Sequence, residues 1–121
     1  MKIQSFQDLR VWKSAHKLTL GIYKTTKDFP TDERFGLVSQ IRRSAVSICA
    51  NISEGTKKGT KDFVRFLYIS QGSLEETKYH LILSKDLSYC SNTQFDELFD
   101  LTNDVGKMLS GLIRSLKLKI V

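Results

Sequence analysis

Two histidines, two cysteines and thirteen carboxylates are the side chains from which this 121-residue chain would have to build a catalytic or metal centre. Their spacing assembles none. The residues three before His16 and His80 are Lys13 and Thr77, so the Glu-x-x-His pair that makes di-iron sites inside helical bundles is missing. Neither histidine has a second at i+4, and Cys49 and Cys90 lack a cysteine at zinc spacing, which leaves each as a packing or surface residue. The neighbouring acids Glu75-Glu76 and Asp96-Glu97 would point about 100° apart on a helix, too divergent to share a proton. The loop Gly55-Thr56-Lys57-Lys58-Gly59-Thr60-Lys61 has the composition of a phosphate cradle, but three residues rather than four separate its glycines and no strand precedes it. It is either a solvated connection or a basic loop at a helix N-terminus, where Lys57, Lys58 and Lys61 would meet phosphate. No catalytic residue, metal ligand or cofactor is expected.

Charge is more informative. Residues 1–27 hold six basic side chains against the single acid Asp8, and residues 34–65 add seven against Glu54 and Asp62. On a first helix Arg10, Lys13, Lys17 and Lys24 share a face opposite Trp12, Ala15, Thr19, Ile22 and Tyr23, a stripe about 20 Å long at 1.5 Å per residue. Such a stripe is either a solvated helix face or a track for a phosphate backbone. Asp96, Glu97, Asp100 and Asp104 cluster near the start of the last helix and imply a polarised molecule.

Two further groups suggest contact surfaces. Gln40, Ser44, Ser47 and Asn51 follow one another at steps of three and four, a polar seam fit for a neighbouring helix or a second subunit. Arg42 flanks the apolar stripe of that helix and is expected to pair with an acid within the chain, whereas Arg43 points outward as a contact for something else. Tyr68, Gly72, Tyr79 and Leu83 form a band about 150° from the core stripe of their helix. They are either wet surface tyrosines or a subunit interface.

The elements that must position these residues follow from the breaks. One proline in 121 residues leaves long segments in which helix can propagate. Ser5-Phe6-Gln7-Asp8 reads as a capping box opening a helix over about 6–28; Phe29-Pro30 ends it, and Thr31 caps a second over about 32–54. Gly55 suits a left-handed C-terminal cap, Thr60 caps a third helix over about 61–89, and Ser91-Asn92-Thr93-Gln94 opens a fourth over about 93–118. Stripes at Val38, Ile41, Ala45, Ile48, Ile52, at Phe63, Leu67, Leu74, Leu81, and at Phe95, Leu98, Thr102, Val105, Leu109, Leu112, Leu116 predict an all-α fold. That fold is an antiparallel up-down-up-down four-helix bundle filling residues 1–121 as a single domain.

Composition bounds the setting. The net charge of +6 favours an acidic partner, nucleic acid first. Two cysteines, no apolar run at the start and no stretch near the roughly 18 apolar residues of a membrane span predict a cytoplasmic protein without a membrane contact.

Longer blocks carry a resemblance: Phe6-Gln7-Asp8-Leu9-Arg10-Val11-Trp12-Lys13-Ser14-Ala15-His16, Phe29-Pro30, the run from Glu33-Arg34-Phe35-Gly36 through Gln40-Ile41-Arg42-Arg43-Ser44-Ala45-Val46-Ser47-Ile48, Asn51-Ile52-Ser53-Glu54-Gly55 and Gly72-Ser73-Leu74-Glu75-Glu76. With these the chain resembles the bacterial four-helix-bundle proteins encoded in intervening sequences of large-subunit ribosomal RNA genes. It is also similar to the accessory variability determinant of diversity-generating retroelements. The resemblance implies a ring, typically a homopentamer, without established enzymatic activity. For the retroelement relatives it implies a basic surface that binds a reverse transcriptase and nucleic acid. Trp12 would be a core anchor, Phe29-Pro30 the corner, and Gly36 a point of close packing; Ser70-Gln71 depart from a commoner small apolar residue. Together these readings predict a non-catalytic homo-oligomer that offers Arg10, Lys13, Lys17, Lys24, Arg43, Lys57, Lys58 and Lys61 to RNA or DNA. The alternative is a protein scaffold, for a polymerase for example, whose charge only steers encounter.

Overall fold

The computed structural model describes residues 5–120. Four helices, α1 (Arg10–Thr26), α2 (Leu37–Gly55), α3 (Thr60–Asp86) and α4 (Asn92–Lys117), are joined by short connections, with 3₁₀ turns at Phe6–Asp8 and Thr31–Glu33. No strand occurs among the described residues. The all-α four-helix bundle is therefore the observed fold. Side-chain contacts give the directions. Thr19 reaches the Ala45 carbonyl while Arg42 reaches Thr26, Ser47 meets Ser73 while Ser44 meets Thr77, and Gln71 meets Ser110 while Lys117 meets Tyr68. Along each pair the numbers rise on one helix as they fall on the other, so successive helices run antiparallel. α4 closes the ring against α1, where Leu98 comes within 2.7 Å of the place a Cβ would occupy on Gly21.

The core is built by the expected stripes. All five stripe residues of α2 and all four of α3 are buried, and Leu18, Ile22, Ile48, Leu67 and Leu109 are among its fully enclosed side chains. Each such side chain contributes about 1.5–3 kcal/mol of hydrophobic stabilisation. On α4 the stripe turns slightly: Ile113 is buried and Leu112 only partly covered. On α1 Trp12 is half-buried, edge-on to Phe6 with centroids 5.1 Å apart and stacked on His16 at 4.8 Å. Tyr23 is exposed rather than core; its ring carries the Arg42 guanidinium 4.5 Å from its centroid.

Several helix ends differ from the sequence expectation. The Ser5 capping box exists, but it caps the 3₁₀ turn; Leu9 is extended, which buries its side chain, and α1 begins only at Arg10. Thr31 makes no cap. Instead Glu33 Oε1 accepts the Leu37 N–H at 3.3 Å, and Glu33 Oε2 accepts the Tyr89 hydroxyl at 2.9 Å, tying the α1–α2 corner to the end of α3. Tyr89 also packs on Phe29 in a small satellite core with Leu37 and Val38. Gly55 has no positive φ; it is a packing glycine, since a Cβ there would lie 2.7 Å from Phe63 Cδ1. Thr60 is the first residue of α3 and Gly59 the cap position, without a side-chain bond. α3 stops at Asp86 rather than about 89 because Ser88 adopts φ 62°, and the N–H groups of Tyr89 and Ser88 return to the carbonyls of Ser84 and Lys85. That is a Schellman cap made with serine in glycine's place.

Candidate nucleic-acid interface

The antiparallel order brings the N-terminal end of α1, the C-terminal end of α2, the N-terminal end of α3 and the C-terminal end of α4 to one pole of the bundle. A plane across the middle of the helices puts residues 5–17, 47–72 and 107–120 on that side. They carry eleven Lys and Arg against three Asp and Glu, a net of +8. Residues 18–46 and 73–106, on the other side, carry seven against ten, a net of −3. The polarity expected between stretches of sequence is thus a polarity along the bundle axis. To the basic run that ends at Arg65 it adds Lys107, Arg114, Lys117 and Lys119, which no local sequence pattern marked. The signal that finds them is topological: in an antiparallel bundle the last turns of α4 share an end with the first turns of α1.

Six of the eight expected phosphate contacts lie in the basic half: Arg10, Lys13, Lys17, Lys57, Lys58 and Lys61, all exposed. Lys57 and Lys58 sit on the turn between α2 and α3, which is held by N–H bonds back to Glu54 and Gly55. The first turn of α3 beside them has no side-chain acceptor from Gly59. Its dipole favours an anion beside Lys57, Lys58 and Lys61, three cations against the one acid of that turn, Asp62. Phe66 organises this end, with Lys58 and Arg65 over its ring at 5.9 and 5.1 Å. Arg65 also reaches Asp62 at 3.6 Å, an exposed pair of little energetic weight.

Lys24 and Arg43 lie apart from this pole. Lys24 shares a cleft of about 630 Å³ with Glu97, Asp100 and Asp104 of α4, and Lys17 reaches the near end of the same cleft. The acidic row therefore offsets part of the α1 stripe, and the four cations expected to act as one track divide into a basic end and a mixed middle. Arg43 is exposed on α2. Among the described residues Arg42 finds no acid: its guanidinium donates to Thr26 Oγ1 at 2.9 Å and to the Tyr23 carbonyl at 3.3 Å, fastening the C-terminal end of α1.

The polar seam is internal. Ser44 is buried, accepts from Thr77 at 2.8 Å and lies 3.3 Å from His80 Nδ1; Ser47 meets Ser73 at 2.8 Å, and Asn51 donates back to Ser47. Ser70 is fully buried and donates to the Ile48 carbonyl at 2.9 Å, which satisfies its hydroxyl inside the α2–α3 contact. Of the two seam alternatives, the neighbouring helix is the one occupied, and only Gln40 stays exposed. Of the aromatic band, Tyr68 and Tyr79 are about half exposed and Gly72 opens onto free space. Leu83 is half-buried against the satellite core instead of lying open for a partner.

Burial pushes the Cys49 thiol up despite the hydroxyl of Thr19 beside it, burial does the same to Cys90, and both sulfurs stay protonated at neutral pH. Among the described residues no three His, Cys, Asp or Glu converge as metal ligands, and no helix is long and apolar enough to cross a membrane.

Residues 7–111 match the sequence profile described as 23S rRNA-intervening sequence protein. The fold is also similar to a crystal structure from Bacteroides thetaiotaomicron VPI-5482, described as a protein with unknown function from the S23 ribosomal protein family. The two share 26% identity with a TM-score of 0.79, over 86% of this chain and 95% of that one. No curated protein matches the chain. With its blocks from Gln7 onward inside that profile and its four helices superposable on such a relative, the chain belongs to the 23S rRNA-intervening sequence protein family.

Proposed function

We propose that this protein is a non-catalytic, self-associating binding protein whose basic pole holds RNA or DNA by its phosphates. The observation that carries the reading is the axial charge separation, +8 on one half of the bundle and −3 on the other. Lys57, Lys58 and Lys61 are clustered beside an uncapped helix N-terminus at the basic end. Exposed lysines and arginines without a base-reading groove element supply the sequence-independent part of nucleic-acid affinity. Assembly as a homopentamer would repeat the pole around a ring and multiply weak contacts through effective concentration. The exposed outer side of α3, with Tyr79, Ile69 and Ile82, supports self-association.

Fluorescence anisotropy with a labelled duplex tests the binding claim. About six phosphate contacts predict roughly a thousandfold loss of affinity between 50 and 200 mM salt. No binding of any RNA or DNA at 50 mM salt contradicts it. The same exposed apolar residues support a second reading, a scaffold for another protein such as a polymerase or reverse transcriptase. Co-purification of a defined protein that survives nuclease treatment favours that one.

A further inference from the structure

We infer that the groove between α3 and α4 is a seat for single-stranded nucleic acid, with a base stacked on Tyr68 and flanking phosphates held by Lys107, Arg114 and Lys117. This deepens the nucleic-acid reading above and rests on it. The groove is an open trough of about 880 Å³ that shares Tyr68, Gln71, Ser110 and Arg114 with a further recess of about 420 Å³ reaching Lys117. Along α4 the two run from Asn103 to Lys117, about 21 Å at 1.5 Å per residue.

Its chemistry is that of a strand track rather than of a protein contact. Among the described residues no carboxylate lies within 4 Å of Lys107, Arg114 or Lys117, and the groove's own acid, Glu75, is already paired with Lys78 at 3.1 Å. Net positive charge therefore remains along the wall. Tyr68 is 47% exposed. The Lys117 ammonium is 3.2 Å from its hydroxyl and 5.8 Å from its ring centroid, which together put the cation off the hydroxyl end of the ring rather than over a face. An exposed aromatic ring beside a row of cations is what sequence-tolerant binding of unpaired bases uses; a duplex cannot offer its stacked bases to such a ring. Gly72 lines the trough and faces open space, with nothing within 4 Å of the place a Cβ would occupy.

The test compares two probes, a thymidine decanucleotide and a duplex of the same length, against wild type, Tyr68→Ala, Tyr68→Phe and Arg114→Ala. Tyr68→Ala is expected to weaken the single strand about tenfold and leave the duplex within about twofold. Tyr68→Phe keeps the ring and is expected to bind like wild type, while Arg114→Ala weakens the strand and lowers its salt dependence. If wild type binds both probes and Tyr68→Ala changes neither, the groove inference is overturned while the basic-pole reading stands. Should neither probe bind wild type at 50 mM salt, that reading falls and takes the groove with it. A Tyr68→Ala protein of altered assembly mass would make Tyr68 a subunit contact, and that too overturns the inference.

Discussion

Gly55 and His80 show how single residues set the tolerance of the α2–α3 pairing. A methyl on Gly55 would have to share space with Phe63 Cδ1 at 2.7 Å and Phe66 Cβ at 3.0 Å, both close to their own backbones and unable to swing away. Gly55→Ala should therefore cost about 1–3 kcal/mol, an overpacking penalty that outweighs alanine's better helix propensity. A thermal unfolding curve would register it as a lower Tm. His80 is 9% exposed in the seam beside Ser44, and burial lowers its pKa from the ordinary value near 6.5, partly countered by Glu76 on the next turn. The folded state thus holds its proton less tightly than the unfolded chain does. Its contribution to stability is complete above the ordinary histidine value and declines as pH falls below it. The urea midpoint should drop between pH 7.5 and pH 5, and by less in His80→Gln. A drop of equal size in the variant would assign the effect to other groups.

At the scale of elements, helix existence and facing were written in the apolar spacing and the Ser91 capping box marked the start of α4, while the ends at the start of α1, at the α1–α2 corner and after α3 were not. Stripes on α2 and α3 transfer residue for residue because burial obeys the helical period. The ends depend on contacts between elements that sequence spacing does not encode. Glu33 caps α2 only because the corner folds it back, and Leu9 interrupts the first turn because burying it repays the break. The polar seam was legible as a seam but not in its partner, since Ser73 and Thr77 become visible only once α2 and α3 are set side by side. Two caps give predictions. Ser88 sits at φ 62°, where a side chain costs about 1–2 kcal/mol and glycine none, so Ser88→Gly should raise the stability of the bundle by about 1 kcal/mol. Ser91 closes a capping box with Gln94 at 3.0 and 2.9 Å, and Ser91→Ala should lower stability by about 1 kcal/mol. Chemical denaturation of the two variants in parallel would show opposite shifts in midpoint at unchanged slope.

For the whole molecule, the net charge of +6 understates what a partner would meet. Leaving aside Lys2, which lies outside the described residues, the fold sorts the remaining +5 into a pole of +8 and a counter-pole of −3 by placing the cations of α4's last turns beside those of α1 and of the α2–α3 turn. The candidate site was thus half legible: local runs disclosed Lys57, Lys58 and Lys61, while Arg114 and Lys117 joined them only through topology. The acidic row on α4 orients the pole, since it would repel phosphate from the other end and steer encounter to one side. The most direct measurement is the affinity of the triple variant Lys57→Ala/Lys58→Ala/Lys61→Ala for a labelled duplex across a salt series. These side chains are exposed, so folding is spared. The account predicts weaker binding at 50 mM salt and a slope of log affinity against log salt smaller than wild type's by about 2–3, one counterion for each lost phosphate contact. Unchanged affinity and slope would contradict it.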